Sequence, residues 1–211
     1  MRTTRDVVLV STPSKYNNQI EIAGGKVLWL DTSYQPLHHV SISGKVEAVP
    51  GLLSPRHYGH GKSTMDLEVG DKVYFNYLTI DPENLMPYGD EEFYRVDYFN
   101  VFCYIRGGIL NMTNSWVFVE PMDNEKGAEY GDSKLIIPEA YRNEPNYKVG
   151  KLRHIGKPLR GAPTLDAKPG DYVIYEKDSD FANEIEGEVF YTMKQDNLLA
   201  IVPQKCLEKI E

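Results

Sequence analysis

The side chains with the greatest capacity for chemistry are grouped in "HYGHGKST", residues 57–64. Its Gly-Lys-Ser-Thr end resembles a phosphate-binding loop, but that motif needs a glycine five positions before Gly61, and Arg56 stands there. His57 and His60 have a spacing that two metal ligands can share, yet the sequence places no third ligand near them. We therefore expect a solvated loop with neither a nucleotide nor a metal ion.

No other group of side chains forms a catalytic pattern. The 31 acidic residues are scattered, so their spacing singles out no acid–base pair. His38 and His39 also lack further ligands, and Cys103 and Cys206 have no recognisable nucleophile context. The two cysteines are too few for a disulfide framework. The sequence predicts a protein that is not an enzyme and holds no cofactor.

Composition excludes several classes of partner. The chain has 211 residues, of which 41% are hydrophobic, and its net charge is −8. An acidic chain is a poor ligand for nucleic acid or for an anionic membrane. No apolar run approaches the roughly 20 residues that span a bilayer, and the first residues lack the apolar stretch of a signal peptide. We expect a cytoplasmic protein without nucleic acid or membrane partners.

The elements that must position any functional side chain are predicted to be strands. Short segments rich in β-branched and aromatic residues are bounded by Gly, Pro, Asn and Asp, and no stretch has a helical stripe longer than two turns. The clearest predicted strands are Val7–Val10, Lys72–Phe75, Trp116–Val119 and Tyr172–Tyr175. The fold class is therefore all-β.

The chain also repeats itself. Five blocks of the first half recur in order in the second, each 96 to 109 residues later. The pairs are Asp6–Val10 with Ser115–Val119, Lys26–Leu28 with Lys134–Ile136, Gly44–Val49 with Gly150–Ile155, Val69–Phe75 with Pro169–Tyr175, and Glu92–Ile105 with Glu188–Ile201. Two tandem domains of one kind, residues 1–108 and 109–211, are predicted, with Gly107-Gly108 as the hinge.

The second copy carries a family resemblance. "KPGDYVIYEKDSDFANEIEGEVFYTMKQDNLLAIV", residues 168–202, resembles the C-terminal half of GroES-type co-chaperonins, the chaperonin-10 family. "SWVFVEP" and "SKLIIPEAYRNEPNYKVGKLRHIG" resemble the first strand, mobile loop and second strand of that family. The resemblance implies two tandem GroES-like, partly open β-barrels. It also implies a homo-oligomeric ring that caps the folding chamber of a GroEL-type chaperonin, with ATP bound by the chaperonin.

The family's mobile loop docks an apolar triplet onto the chaperonin's apical domain, and the resemblance assigns that role here to two segments. In the second copy the triplet is Leu135, Ile136 and Ile137, for which a buried strand is the alternative. In the first copy, within "AGGKVLWL", it is Val27, Leu28 and Trp29. There Lys26 takes the place of the first aliphatic residue. This anchor has therefore slid by one residue, serves a different groove, or has become an internal strand.

The predicted function is that of a co-chaperonin, a binding protein without chemistry. The alternative is a β-barrel structural or assembly protein, for example a viral one, that derives from a co-chaperonin and no longer docks. Some dehydrogenases contain a GroES-like domain, but they also need a dinucleotide-binding βαβ half with a Gly-rich turn. This sequence has no such half.

Overall fold

The computed structural model describes residues 2–12, 16, 19–22, 24–31, 33, 40–54, 65–121, 147–158, 165–177, 179 and 181–202. These residues form two compact units. The first lies within Met1–Asn114 together with Gly156–Pro163. The second lies within Ser115–Ile155 together with Thr164–Glu211.

The first unit is built on a seven-stranded antiparallel sheet and a separate two-stranded one. The strands are β1 (Val7–Ser11), β2 (Gln19–Ile22), β3 (Lys26–Trp29), β4 (Ser43–Ala48), β5 (Lys72–Phe75), β6 (Leu85–Tyr88), β7 (Glu91–Asp97), β8 (Val101–Arg106) and β9 (Ile109–Met112). The large sheet has the order β6-β7-β1-β4-β5-β8-β9, and β2 pairs only with β3 among the described strands. Short 3-10 turns occupy Tyr77–Thr79, Pro82–Asn84 and Tyr98–Asn100.

The second unit is built on a six-stranded antiparallel sheet. Its strands are β10 (Trp116–Pro121), β11 (Tyr147–Ile155), β12 (Tyr172–Glu176), β13 (Phe181–Ile185), β14 (Glu188–Lys194) and β15 (Leu198–Val202), with a 3-10 turn at Gln195–Asn197. The order is β13-β14-β10-β11-β12-β15. Among the described strands, neither sheet closes into a complete barrel. Each unit is therefore a partly open barrel. The all-β prediction and its four clearest strands are confirmed.

The two sheets have the same strand order, apart from β9 at one edge of the first. β6, β7, β1, β4, β5 and β8 correspond in turn to β13, β14, β10, β11, β12 and β15. Irregularities fall at matching places, since β1 shifts register against β4 between Leu9 and Val10 and β10 against β11 between Phe118 and Val119. The tandem repeat predicted from sequence blocks is therefore a repeat of topology.

One block of the predicted repeat is shifted by one residue. The sequence alignment matched Phe93 with Val189. In the sheets, however, Tyr94 lies opposite Val10 and Tyr191 lies opposite Val119, so Phe93 corresponds to Phe190. Both phenylalanines are buried, whereas Val189 is exposed. The strand register decides the match because a shift of one residue moves each side chain to the opposite face of the sheet.

Each sheet buries one face in a main core, following the alternation of its strands. In the first unit this core contains Val8, Val10, Val46, Val73, Phe75, Val96 and Val101. In the second it contains Val117, Val119, Leu152, Val173, Tyr175 and Met193. The intervening side chains Leu9 and Phe118 point to the other face, where both are also buried. Valine and aromatic residues suit these positions because they fill a pleated surface densely.

The β8–β9 hairpin lies within the first unit. Gly107 and Gly108 form its turn with φ of 57° and 78°, a conformation that glycine adopts readily. Ile105 pairs with Leu110 and Arg106 with Ile109, so residues 109–112 extend the first sheet. The predicted boundary at residue 108 therefore falls inside a hairpin, and the compact units divide after Asn114.

Candidate functional site

The β2–β3 hairpin contains the first of the two segments proposed to dock. Ile22 pairs with Lys26, and Gln19 pairs with Trp29 at the open end of the hairpin. Gly24 and Gly25 form the turn with φ of 89° and 71°, which explains why two glycines precede the apolar run. The sequence allowed this segment to be either a tethered anchor or an internal strand. In the structure it is a strand of a small, separate sheet.

The apolar side chains of this hairpin are exposed. The exposed fraction is 66% for Trp29, 50% for Leu28, 48% for Val27 and 46% for Ile22. An isolated two-stranded sheet is only marginally stable in water. Apolar side chains that stay exposed on it add no hydrophobic stabilisation. Such a cluster is typical of a binding surface rather than of a core. We call Ile22, Val27, Leu28 and Trp29 the hairpin cluster.

Polar contacts define both ends of the segment. After β3, the Asp31 carboxylate accepts hydrogen bonds from the backbone N–H and the hydroxyl of Ser33, which form a turn. The hydrogen bond from the Ser33 hydroxyl, followed by that from the Ser33 N–H, holds the pKa of Asp31 below its usual value. At the base, Tyr16 and Val40 form an antiparallel bridge, and both pack in the main core of the first unit. The described residues Tyr16 and Val40, which precede and follow the hairpin in the chain, are therefore held against that core.

Sequence reasoning missed Ile22 as a member of the hairpin cluster. The signal was present in "QIEIAGGKVLWL", where polar and apolar residues alternate before Gly24-Gly25 and an apolar run follows them. Two strand-like runs on either side of a glycine pair are typical of a β-hairpin.

Several predicted positions lie outside the described residues. They are Leu135, Ile136 and Ile137 of the second copy, "HYGHGKST", His38, His39 and Cys206. Cys103 is described and is buried in β8. Within the described ranges, no three His, Cys, Asp or Glu side chains are grouped as metal ligands. Among the helices described there, none has the length and apolar character to cross a membrane.

A second feature that the sequence did not reveal is a charged cluster around Arg106. Its guanidinium donates to both carboxylate oxygens of Asp71, at 2.8 and 2.7 Å, and to Glu68 at 2.9 Å. Burial acts to raise the pKa of Asp71, but hydrogen bonds from Arg106 and the Glu68 N–H, with the Arg106 charge, lower it overall. Hydrogen bonding to Asp71 raises the pKa of Arg106. This cluster fixes the turn before β5 and has no acid–base pair poised for catalysis.

Known proteins similar to this chain are co-chaperonins. It is 31% identical to "Co-chaperonin GroES" of Ralstonia nicotianae over 90 residues, 41% of this chain and 88% of the relative. It is 30% identical to "Co-chaperonin GroES" of Burkholderia cepacia over 93 residues, 42% of this chain and 91% of the relative. With "Co-chaperonin GroES 5" of Rhizobium meliloti the identity is 28% over 98 residues, 44% of this chain and 89% of the relative. No protein-family profile matches the chain.

Proposed function

Because the chain belongs to the GroES co-chaperonin family, we propose that it caps the folding chamber of a GroEL-type chaperonin. The names of its relatives support a co-chaperonin role in general. The observation that carries the finer proposal is the exposed hairpin cluster, at the position where the sequence resembles the family's mobile loop. Val27, Leu28 and Trp29 are proposed to dock into an apolar groove of the chaperonin's apical domain.

The energetics of the hairpin suit reversible docking. Burying an aliphatic side chain contributes about 1.5–3 kcal/mol, whereas ordering a backbone residue costs about 1–2 kcal/mol. Residues of β2 and β3 that are already paired have lost part of that freedom before binding. Each hairpin still makes a weak contact, so tight capping requires several hairpins that act together at high effective concentration. Weak contacts also allow release when the chaperonin changes conformation.

The same role is proposed for the second copy. Leu135, Ile136 and Ile137 follow Lys134, as Val27 and Leu28 follow Lys26, and they fit the apolar triplet of the family more closely. Their placement is outside the described residues, so the support is the sequence repeat alone. Two docking segments per chain would double the contacts that one chain makes with a chaperonin ring.

A homo-oligomeric ring is the proposed form of the cap. In the first sheet the outer edge of β8 is covered by β9. In the second sheet β15 holds the position of β8, and no further strand follows it among the described residues. An uncovered strand edge offers backbone donors and acceptors to a strand of another chain. Native mass spectrometry tests this proposal, which predicts closed oligomers; a monomer at all concentrations would contradict it.

Co-sedimentation with a GroEL-type chaperonin in the presence and absence of ATP tests the docking. The wild-type chain is expected to sediment with the chaperonin only when ATP is present. Leu28→Ser should reduce capture at least tenfold, because it places a hydroxyl in an apolar contact. Leu78→Ser is the matched control, since Leu78 is an exposed leucine outside the hairpin.

The outcomes separate the proposed function from its alternative. Capture of the wild-type chain and of Leu78→Ser, with loss for Leu28→Ser, supports docking through the hairpin. Absence of a complex at tens of micromolar chaperonin and ATP would refute the capping role and favour a structural protein derived from a co-chaperonin. Circular dichroism of each variant establishes that a loss of capture does not come from unfolding.

A further inference from the structure

We propose that Trp29 is the principal anchor of the hairpin and that the chaperonin groove it enters has a pocket of indole size. The inference rests on the proposed docking function and adds which residue dominates and what the partner must offer. Its basis is the register of β2 and β3 together with the exposure of Trp29.

Strand alternation divides β3 between two faces. Val27 and Trp29 share one face, and Lys26 and Leu28 share the other, because successive side chains of a strand point in opposite directions. In the register, Gln19 and Glu21 stand opposite Trp29 and Val27, whereas Ile20 and Ile22 stand opposite Leu28 and Lys26. Each face therefore includes one charged residue, and charge does not separate the two faces. Trp29 lies at the open end of the hairpin and differs from Leu28 in the size and exposure of its side chain, 66% against 50%.

Trp29 has the largest apolar surface of the hairpin cluster, and two thirds of it is exposed. A tryptophan side chain buries about 150–250 Å² when it is enclosed, and tryptophan is among the residues most enriched at interface hot spots. Its indole N–H needs a hydrogen-bond acceptor when it leaves water. The fitting partner is therefore an apolar groove with a deep pocket and an acceptor at the pocket's edge.

The other tryptophan shows what a structural role looks like in the same chain. Trp116 is 7% exposed, opens β10, and has the ammonium group of Lys194 at 4.0 Å from its ring centroid. Trp29 combines an ordered strand position with an exposed ring. The chain thus contains one buried and one exposed indole, which makes Trp116 an internal control for experiments on Trp29.

Binding of three full-length variants to a GroEL-type chaperonin with ATP tests the inference. Trp29→Ala is expected to weaken binding by about 30-fold, as at an interface hot spot. Trp29→Leu should recover only part of that loss if the pocket is shaped for an indole. Leu28→Ala, on the other face, should weaken binding less than Trp29→Ala. Circular dichroism and the emission of buried Trp116 confirm that each variant is folded.

Hydroxyl-radical footprinting with mass spectrometry gives an independent measurement on the wild-type chain. Trp29 should be oxidised readily in the free protein and at least fivefold less in the complex, whereas Trp116 should be protected in both. If wild type binds and either Trp29→Ala or Trp29→Leu binds equally well, the indole anchor is overturned and capping stands. The same holds if Trp29 is not protected in the complex. No complex with wild type overturns both proposals.

Discussion

The two units share a backbone plan and differ in the side chains that reinforce it. Their common strands occur in the same order. Both units have a glycine-aspartate turn, which comes before β5 in the first unit and before β12 in the second. In the first unit Val46 N–H donates to Asp71 O and Gly70 N–H to Val46 O. In the second, Leu152 N–H donates to Asp171 O and Gly170 N–H to Leu152 O. Backbone hydrogen bonds have thus been kept while the side chains around them changed.

The charged cluster around Arg106 marks the first difference. Ile105 lies opposite Lys72 and Val202 lies opposite Tyr172, so the residue that corresponds to Arg106 is Pro203. Proline has no guanidinium, and the Asp171 carboxylate accepts a hydrogen bond from Lys168 N–H at 2.8 Å. Among the described residues, the turn is held by the Arg106 ion pair and a hydrogen bond from Glu68 N–H to Asp71 in the first unit, and by the hydrogen bond from Lys168 N–H to Asp171 in the second.

The second difference lies on the sheet face opposite the main core. Leu9, Ala48 and Phe93 form a small buried cluster in the first unit. In the second, Phe118 stacks on Phe190 at 5.3 Å and His154 meets both rings edge-on, at 5.9 and 5.7 Å. A cluster with one aromatic ring and a cluster with three rings fill the same place, so this face accepts side chains that differ in both identity and volume.

The largest expected effect tests what the units share. A Cβ at Gly44 would lie 2.4 Å from Val10 Cγ1 and 2.6 Å from Ser11 O; at Gly150 it would lie 2.3 Å from Val119 Cγ1 and 2.8 Å from Glu120 O. Gly44→Ala and Gly150→Ala should each lower the free energy of unfolding of their own unit by about 3 kcal/mol. Hydrogen exchange followed by mass spectrometry resolves the two units. Unequal losses would show that the same close backbone approach contributes differently to the free energy of unfolding of the two units.

A smaller effect should separate the units at the aspartate turn. Asp71→Asn removes the carboxylate that binds Arg106, and we expect a loss of about 2 kcal/mol in the first unit. Asp171→Asn keeps an oxygen that can accept from Lys168 N–H, so the loss in the second unit should be below about 1 kcal/mol. Because the pKa of Asp71 is lowered in the folded state, the stabilisation is present above its unfolded pKa and disappears as the pH falls. Equal losses in urea unfolding of the two variants would argue against a role for Arg106.

The pH dependence of the second unit should distinguish its cluster, which contains His154, from the cluster of the first unit, which has Ala48 at that position. Burial, then the charge of Arg153, lowers the pKa of His154, and Glu188 opposes this. Below the usual histidine pKa, near 6.5, the unfolded state binds a proton that the folded state resists, so stability falls as the pH decreases through this window. His154→Ala, which copies Ala48 of the first unit, should flatten that dependence. Unfolding at pH 5.5 and 7.5 checks it, and an unchanged slope in the variant would contradict the assignment.

The smallest expected effect concerns the hairpin cluster. Leu28→Ser should change the free energy of unfolding of the first unit by less than about 0.5 kcal/mol, because the side chain is half exposed. Substitution of buried Leu9 by alanine should cost about 2–5 kcal/mol in the same unit. Thermal unfolding of both variants makes the comparison. If Leu28→Ser proved as costly as Leu9→Ala, the hairpin would belong to the core rather than to a binding surface.

Much of the fold could be predicted from the sequence, and the candidate site only in part. Runs such as Val7–Val10 and Tyr172–Tyr175 predict strands because β-branched and aromatic residues favour the extended conformation. The resemblance predicts Val27, Leu28 and Trp29 as docking residues, but it does not predict Ile22 or the pairing of β2 with β3. Pairing depends on where the chain reverses, which the residue types of one segment do not determine.

The sequence by itself determined an all-β chain, its duplication, its family and the absence of a recognisable catalytic motif, since each of these is written in residue types and their order. Only the tertiary structure decided the register that equates Phe93 with Phe190, the ion pair between Asp71 and Arg106 and the exposure of Trp29. The physical reason is distance along the chain. Local propensity acts between neighbours, whereas register, ion pairing and burial arise when segments tens of residues apart are brought together by the packing of the sheets.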